Sequence, residues 1–217
     1  MVEIDDAGSG SLIGGTGIGI LKKDTQEYFF DLIPLNYFQP PHFNKKTYQD
    51  YVINIIQHGF QKLNIDSQTN IYLCPSYIFD RLRQWLSKHG YRWKNKKIVG
   101  PLQHQVEASF TQYVIKLGLP TNFIKHARYA FSFHRLFKWV MADFKTRALL
   151  CKTGWPSWQK WSTTIPNFYS GKATKKGFCL KCGKLIYPND PVCFMEYHTN
   201  KLWTLGLHPD CVYKKDA

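Results

Sequence analysis

The last forty residues hold the most specific chemical pattern in the chain: Cys179 and Cys182 form a C-x2-C pair, and His208 and Cys211 form an H-x2-C pair further on. Three thiolates and one imidazole satisfy a tetrahedral zinc ion, and each two-residue gap lets a pair clamp one side of it. The set has no open coordination position, so the expected Zn²⁺ is structural. A module this small cannot build a sufficient hydrophobic core, so the metal must supply much of its stability. Cys193 and His198, inside the intervening segment, are spare donors that read as packing or surface residues.

The second candidate site is at the opposite end. In EIDDAGSGSLIGGTGIGI, residues 3–20, Asp5 and Asp6 close an apolar run and six glycines follow within twelve residues. Asp5 is expected to point to one side of a sheet and Asp6 to fall in the turn, where Gly8, Ser9 and Gly10 would let a phosphate backbone approach closely. An Asx-type turn between two strands would use the same residue types for conformational reasons. A dinucleotide fingerprint is excluded, because the glycine spacing is wrong and a strand follows instead of a helix.

The elements that must position these groups follow from periodicity. Residues 2–5, 12–22 and 27–34 read as a three-strand meander. Tyr48, Val52, Ile55, Ile56, Phe60 and Leu63 have helical spacing within residues 43–63. A strand at 71–74 precedes a helix at 77–89, capped by Ser76 and ended by Gly90. A further strand is expected at 96–100, then a helix from Pro101 to about 117 and one from 122 to about 143, capped by Thr121. The order is strand, strand, strand, helix, strand, helix, strand, helix.

That order over residues 1–145, together with IDDAGSGS, resembles the ribonuclease H-like superfamily. The opening motif is similar to the IDEAGRGP signature of type-two ribonuclease H, with Asp5 and Asp6 at its first two carboxylates. The resemblance implies an α/β mixed sheet, βββαβαβα, and metal-dependent hydrolysis of nucleic-acid phosphodiesters. Two divalent cations, Mg²⁺ or Mn²⁺, would be held about 4 Å apart by converging carboxylates. Glu107, early in the helix after the fifth strand, stands where nucleases of this fold carry their last carboxylate. Asp50 stands where type-one ribonuclease H carries a glutamate, although helical phase exposes it. Asp143 is a weaker candidate. Two departures stand out: the fourth strand ends in Cys74-Pro75-Ser76 without a carboxylate, and Gly8-Ser9-Gly10 lacks the arginine of the family motif. Members of this fold that resolve DNA junctions act as dimers, so a homodimer or larger nucleoprotein assembly is also implied. The C-terminal spacing resembles treble-clef fingers, such as those of poly-ADP-ribose polymerases and the halves of LIM domains.

Composition agrees with a polyanionic partner. The 217 residues carry 29 basic and 15 acidic side chains, a formal charge of +14, and DNA or RNA is the expected ligand. Between Arg81 and Asn189 only Glu107 and Asp143 are acidic, so an acid there is a salt-bridge partner or a metal ligand. On the helix expected over 122–143, Lys125, Arg128, Arg135 and Lys138 share one arc with no interleaved acid, which points to phosphate contact. His126 and His134 read as packing residues. Trp155, Trp158 and Trp161, interleaved with lysines, either stack on unpaired bases or pack on the core. No long apolar run or secretory signal is visible, and the cysteines cluster at metal spacing, so a soluble protein of a reducing, cytoplasmic compartment without a membrane partner is expected. The expected division is a core at 1–150, a basic tryptophan-rich linker at 151–177 and a zinc finger at 178–217.

Overall fold

A computed structural model describes residues 1–125 and 131–213. The chain divides into two units: residues 1–119 with 150–155, and residues 120–149 with 156–217. Instead of a single cut near residue 150, a short segment returns to the first unit after thirty residues of the second.

The first unit is built on a mixed sheet. β1 (Val2–Ala7), β2 (Thr16–Lys22) and β3 (Glu27–Ile33) form an antiparallel meander. After α1 (Thr47–Lys62) come β4 (Ile71–Leu73), α2 (Asp80–Lys88), β5 (Trp93–Asn95) and α3 (Pro101–Lys116). The strand order is β3-β2-β1-β4-β5, with β4 parallel to both β1 and β5. β1 is covered on both faces, so its pattern is continuous burial instead of alternation. Val2 and Ile4 enter the core that Val52, Ile56 and Phe60 of α1 complete. Each such apolar side chain contributes about 1.5–3 kcal/mol when fully buried.

The other face is covered by α3. Gly19 of β2 pairs with Asp5, and a Cβ added at Gly19 would lie 3.1 Å from side-chain carbons of Leu102 and Val106. Cross-strand partners share a face, so Asp5 also faces α3. This close approach sets Glu107, one residue beyond Val106, near the end of β1. At the next turn of α3, Phe110 covers Gly8, and the Tyr113 hydroxyl accepts the Gly15 N–H at 3.1 Å.

Three elements differ from expectation. β5 is Trp93–Asn95, not residues 96–100: its register against β4 pairs Ile71 with Trp93 and Leu73 with Asn95. Ile98 lies beyond the ladder, buried with Leu21 and Leu102. Ser76 does not cap a helix with its side chain; its hydroxyl bonds Asp6 instead. β1 runs through Ala7, so Asp6 pairs with Ile18 within the strand and is not in the turn.

In the second unit, α4 (Thr121–Lys125) and α5 (Phe133–Met141) replace the single helix expected over 122–143. Ser132 is extended, with φ −63° and ψ 141°, the conformation of a residue that opens a new helix. Packing sets the direction of α5, because Phe137 meets Trp158 and Tyr197 edge to face at 6.1 and 5.9 Å. α6 (Phe144–Arg147) and α7 (Pro156–Trp161) follow. β6 (Asn167–Lys172), β9 (Pro191–His198) and β10 (Leu202–Leu207) form a sheet in the order β10-β9-β6, while β7 (Gly177–Phe178) and β8 (Leu185–Ile186) form a separate hairpin. α8 (Pro209–Tyr213) closes the described chain. Residues 151–177 are therefore not a linker: Trp158 is buried, and Gly171 and Lys172 pair with Val192 and Pro191.

Candidate functional site

At the C-terminal ends of the parallel strands β1 and β4, ligand atoms of Asp5, Asp6 and Cys74 lie within 4.8 Å of one another. The Cys74 N–H donates to Ile4 O at 3.0 Å, which brings the residue after β4 beside the aspartates. Burial raises the Asp5 carboxyl from its usual 3.8 to about 6; the Cys74 thiol bonds this carboxylate, and Glu107 adds its negative charge to the field. Cys74 itself is pushed up to about 12, mainly by burial and then by its bond to Asp5, so it remains a protonated donor. Burial also raises Asp6, whose side chain bonds those of Ser9 and Ser76.

The unforeseen member of this site is Lys152. It is fully buried, arrives on the returning segment 150–155, and donates through Nζ to Gly8 O at 2.6 Å and Thr16 Oγ1 at 3.0 Å. Its ammonium lies 4.4 Å from the Phe38 ring centroid. Burial lowers it to about 7, against the opposing pull of the Asp6 charge. Backbone bonds from Gly14 N to Leu150 O and from Lys152 N to Leu12 O, each 2.9 Å, hold the segment in place. The sequence offered no signal for Lys152, one lysine in a basic aromatic tract; only the chain's return gives it a role.

The glycine turn serves packing more than access. Gly8 has φ +84°, and a Cβ there would meet the Phe110 ring at 2.2 Å, so its Cα is covered and not open to a phosphate. Ser9 is tied through its carbonyl, which accepts the Tyr77 hydroxyl at 3.2 Å. Gly10 alone of the three is open, with no atom within 4 Å of an added Cβ. Glu107 is exposed and accepts a bond from Gln103 at 3.0 Å; it is not part of the tight group. Asp50 is also outside it, exposed and paired with Arg81. Asp143, in the second unit, lies 4.0 Å from Lys181.

Of the expected basic stripe, Arg128 and His126 fall outside the described residues, and Lys125 ends α4. Arg135 donates to Phe123 O at 2.6 Å with its guanidinium 4.4 Å from that ring. Lys138 lies 4.7 Å from the Trp203 ring, half-buried and lowered chiefly by desolvation. The break between α4 and α5 thus dissolves the continuous arc, and these two bases meet aromatic rings of their own unit. His134 packs against Trp203, 6.0 Å between centroids, and lies 3.2 Å from the Thr199 hydroxyl.

The second donor group is complete. Cys179, Cys182, His208 and Cys211 bring their ligand atoms within 4.8 Å of one another and could hold a metal such as zinc. β7 and β8 flank the first pair, and α8 carries Cys211. His208 Nε2 lies 3.2 Å from Leu185 O; donation there leaves Nδ1, 3.3 Å from the Cys182 sulfur, free to bind a metal. Burial would raise Cys179, but backbone N–H groups of Cys182, His208 and Lys181 donate to its sulfur and bring it down to about 7. Burial and the neighbouring Cys179 charge push Cys211 up to about 12. The opposed tendencies of Cys179 and Cys211 in one crowded group fit a bound cation that ionises the thiols. Cys193 and His198 are not in the group.

A positioning residue here also escaped sequence reading. Arg147 donates to Trp139 O, Leu180 O and Lys181 O at 2.6, 2.7 and 2.9 Å, tying the Cys179–Cys182 loop to α5.

No protein-family model matches the chain, and no curated protein is significantly similar to it. Among the described residues, no helix is long and apolar enough to cross a membrane.

Proposed function

We propose that the first unit is a ribonuclease H-like hydrolase that cuts nucleic-acid phosphodiester bonds with Mg²⁺ or Mn²⁺. The observation that carries this reading is the convergence of buried Asp5 and half-buried Asp6, both with carboxyl groups raised by desolvation, at the C-terminal end of β1 beside the parallel β4 and within the field of Glu107. The strand order β3-β2-β1-β4-β5, with an antiparallel meander followed by parallel strands, supports the fold assignment.

The carboxylates of Asp5 and Asp6 suit a hard divalent cation, and Glu107 adds its charge from outside the tight group, whereas the protonated thiol of Cys74 does not suit it. The donor set is therefore better matched to one cation than to the two expected from the resemblance. When bound, such an ion polarises a phosphoryl oxygen and lowers the pKa of a coordinated water. Asp5 and Asp6 must lose their protons to bind it. Lys152 holds the Gly8–Gly10 turn and opposes the charge on Asp6. In the second unit, the knuckle, hairpin and helix that carry the Cys3His group support a treble-clef-like structural zinc finger.

The test is a cleavage assay with Mg²⁺ or Mn²⁺ on duplex, single-stranded, hybrid and four-way-junction substrates, comparing wild type with Asp5→Asn and Glu107→Gln. Cleavage by wild type that both variants lose is the expected result. The saturation of Asp6 by Ser9 and Ser76 and the thiol at the end of β4 favour a second reading, a non-catalytic nucleic-acid-binding or assembly protein on the same fold. Binding by wild type without cleavage of any substrate would decide for it.

A further inference from the structure

One face of the β10-β9-β6 sheet is spent on the core: Met195, Tyr197, Leu205 and Leu207 are buried, and Tyr197 packs on Phe137 of α5. The opposite face is aromatic and only partly covered: Val192 is buried and Phe194 half-buried on it, while Tyr169 is exposed. The register sets Tyr169 beside Phe194 and Phe194 beside Gly206. Tyr169 and Phe194 have ring centroids 5.3 Å apart at 31°, and Tyr169 is 45% exposed. A Cβ on Gly171 would come within 2.8 Å of the Phe194 ring, while Gly206 has no contact closer than 3.9 Å. Gly171 thus leaves room for that ring, whereas a side chain at Gly206 would meet it only in ordinary contact.

Beside the rings lies a cavity of about 290 Å³, lined by Lys175, Lys176, Phe178, Ile186, Phe194 and Thr204, among others. Exposed Lys172, Lys175 and Lys176 supply positive charge along the same segment. Glu196, on the same face, accepts from the Tyr169 hydroxyl at 2.8 Å and from Thr204 Oγ1 at 3.0 Å, both through Oε1. Its carboxylate is an acceptor suited to the exocyclic amino group of a base.

We propose that this open face is a stacking platform for unpaired nucleotides of single-stranded nucleic acid. Tyr169 and Phe194 take the bases, the lysines take the phosphates and Glu196 reads an amino edge. A protein core has no use for aromatic rings on a solvated sheet face, and a duplex hides its bases from stacking. Flat rings rimmed by lysines match a charged strand whose bases are free. The proposal rests on nucleic acid being the partner of this chain, but not on hydrolysis.

The experiment is fluorescence anisotropy of the full chain with a labelled oligothymidylate of about twelve nucleotides, its RNA counterpart and a duplex of equal length. Chelators and added divalent cations are omitted, so that zinc is retained and nothing is cut. Tyr169→Ala and Phe194→Leu are expected to weaken single-strand binding roughly tenfold each and leave duplex binding unchanged. Tyr169→Phe, which keeps the ring, restores it. Lys175→Ala with Lys176→Ala lowers the salt slope on the single strand by about 1.4. Circular dichroism and zinc content show that each variant is folded. Wild-type affinity of folded Tyr169→Ala and Phe194→Leu for the single strand would overturn the platform while leaving nucleic-acid binding intact. Absence of salt-dependent binding to any of the three probes would overturn both the platform and the nucleic-acid reading.

Discussion

Asp5 shows how a single buried side chain couples stability to pH. Its carboxyl is raised from 3.8 to about 6 by burial, so between those values the folded state binds more protons than the unfolded chain. The protonated form favours folding, and that contribution is complete below about pH 4 and lost as pH rises through 6, amounting to about 3 kcal/mol. Urea denaturation without divalent ions should therefore show stability falling from pH 4 to 6.5, with a flatter profile for Asp5→Asn. At pH 7 the variant should be the more stable protein, because it no longer buries a charge. Mn²⁺ reverses the order: it is expected to raise the wild-type midpoint and leave Asp5→Asn unmoved. An equal Mn²⁺ response in both would remove Asp5 from the ligand set. Lys152 belongs to the same balance, and Lys152→Met should cost about 2–4 kcal/mol, read as a lower urea midpoint, because Gly8 O and Thr16 lose a buried donor.

Elements position these groups through close contacts. α3 reaches the sheet because Gly19 leaves space for Leu102 and Val106. Gly19→Val should push the helix away, cost about 1–3 kcal/mol in thermal or urea unfolding, and lower any Glu107-dependent activity with it. In the second unit, Arg147 ties three carbonyls around the Cys179–Cys182 loop. Arg147→Met is expected to weaken zinc affinity about 10- to 100-fold in competition with a chromophoric chelator, the usual effect of losing a group that orients metal ligands. Unchanged affinity would show that the loop holds its shape without the clamp. The four donors of the Cys3His group were legible from spacing because C-x2-C and H-x2-C are local patterns. Arg147 was not, since its partners are main-chain carbonyls that any sequence supplies.

Across the whole molecule, the two units differ in what they add to an apolar core. The first has a continuous core between its sheet and α1, whereas the second, with its own buried Phe137, Trp139, Met195 and Tyr197, also carries the Cys3His group that could hold a metal. Stripping the metal with a strong chelator at neutral pH should abolish the part of the calorimetric unfolding signal due to the second unit and leave that of the first. One bound zinc per chain by mass spectrometry is the companion expectation. The formal charge of +14 bears on the partner and leaves the fold open.

Periodicity and spacing by themselves determined the meander, the helices α1 and α3 and the four donors of the Cys3His group, because each depends on residues close in sequence or on a repeat that one face of an element must bury. Tertiary structure decided the rest. It broke the helix at Ser132 to pack Phe137, moved β5 to the residues whose register fits β4, and closed Gly8 beneath Phe110. It also brought Lys152 back beside the aspartates. Those outcomes depend on long-range contacts, in which burial and a partner from a distant segment outweigh local preference.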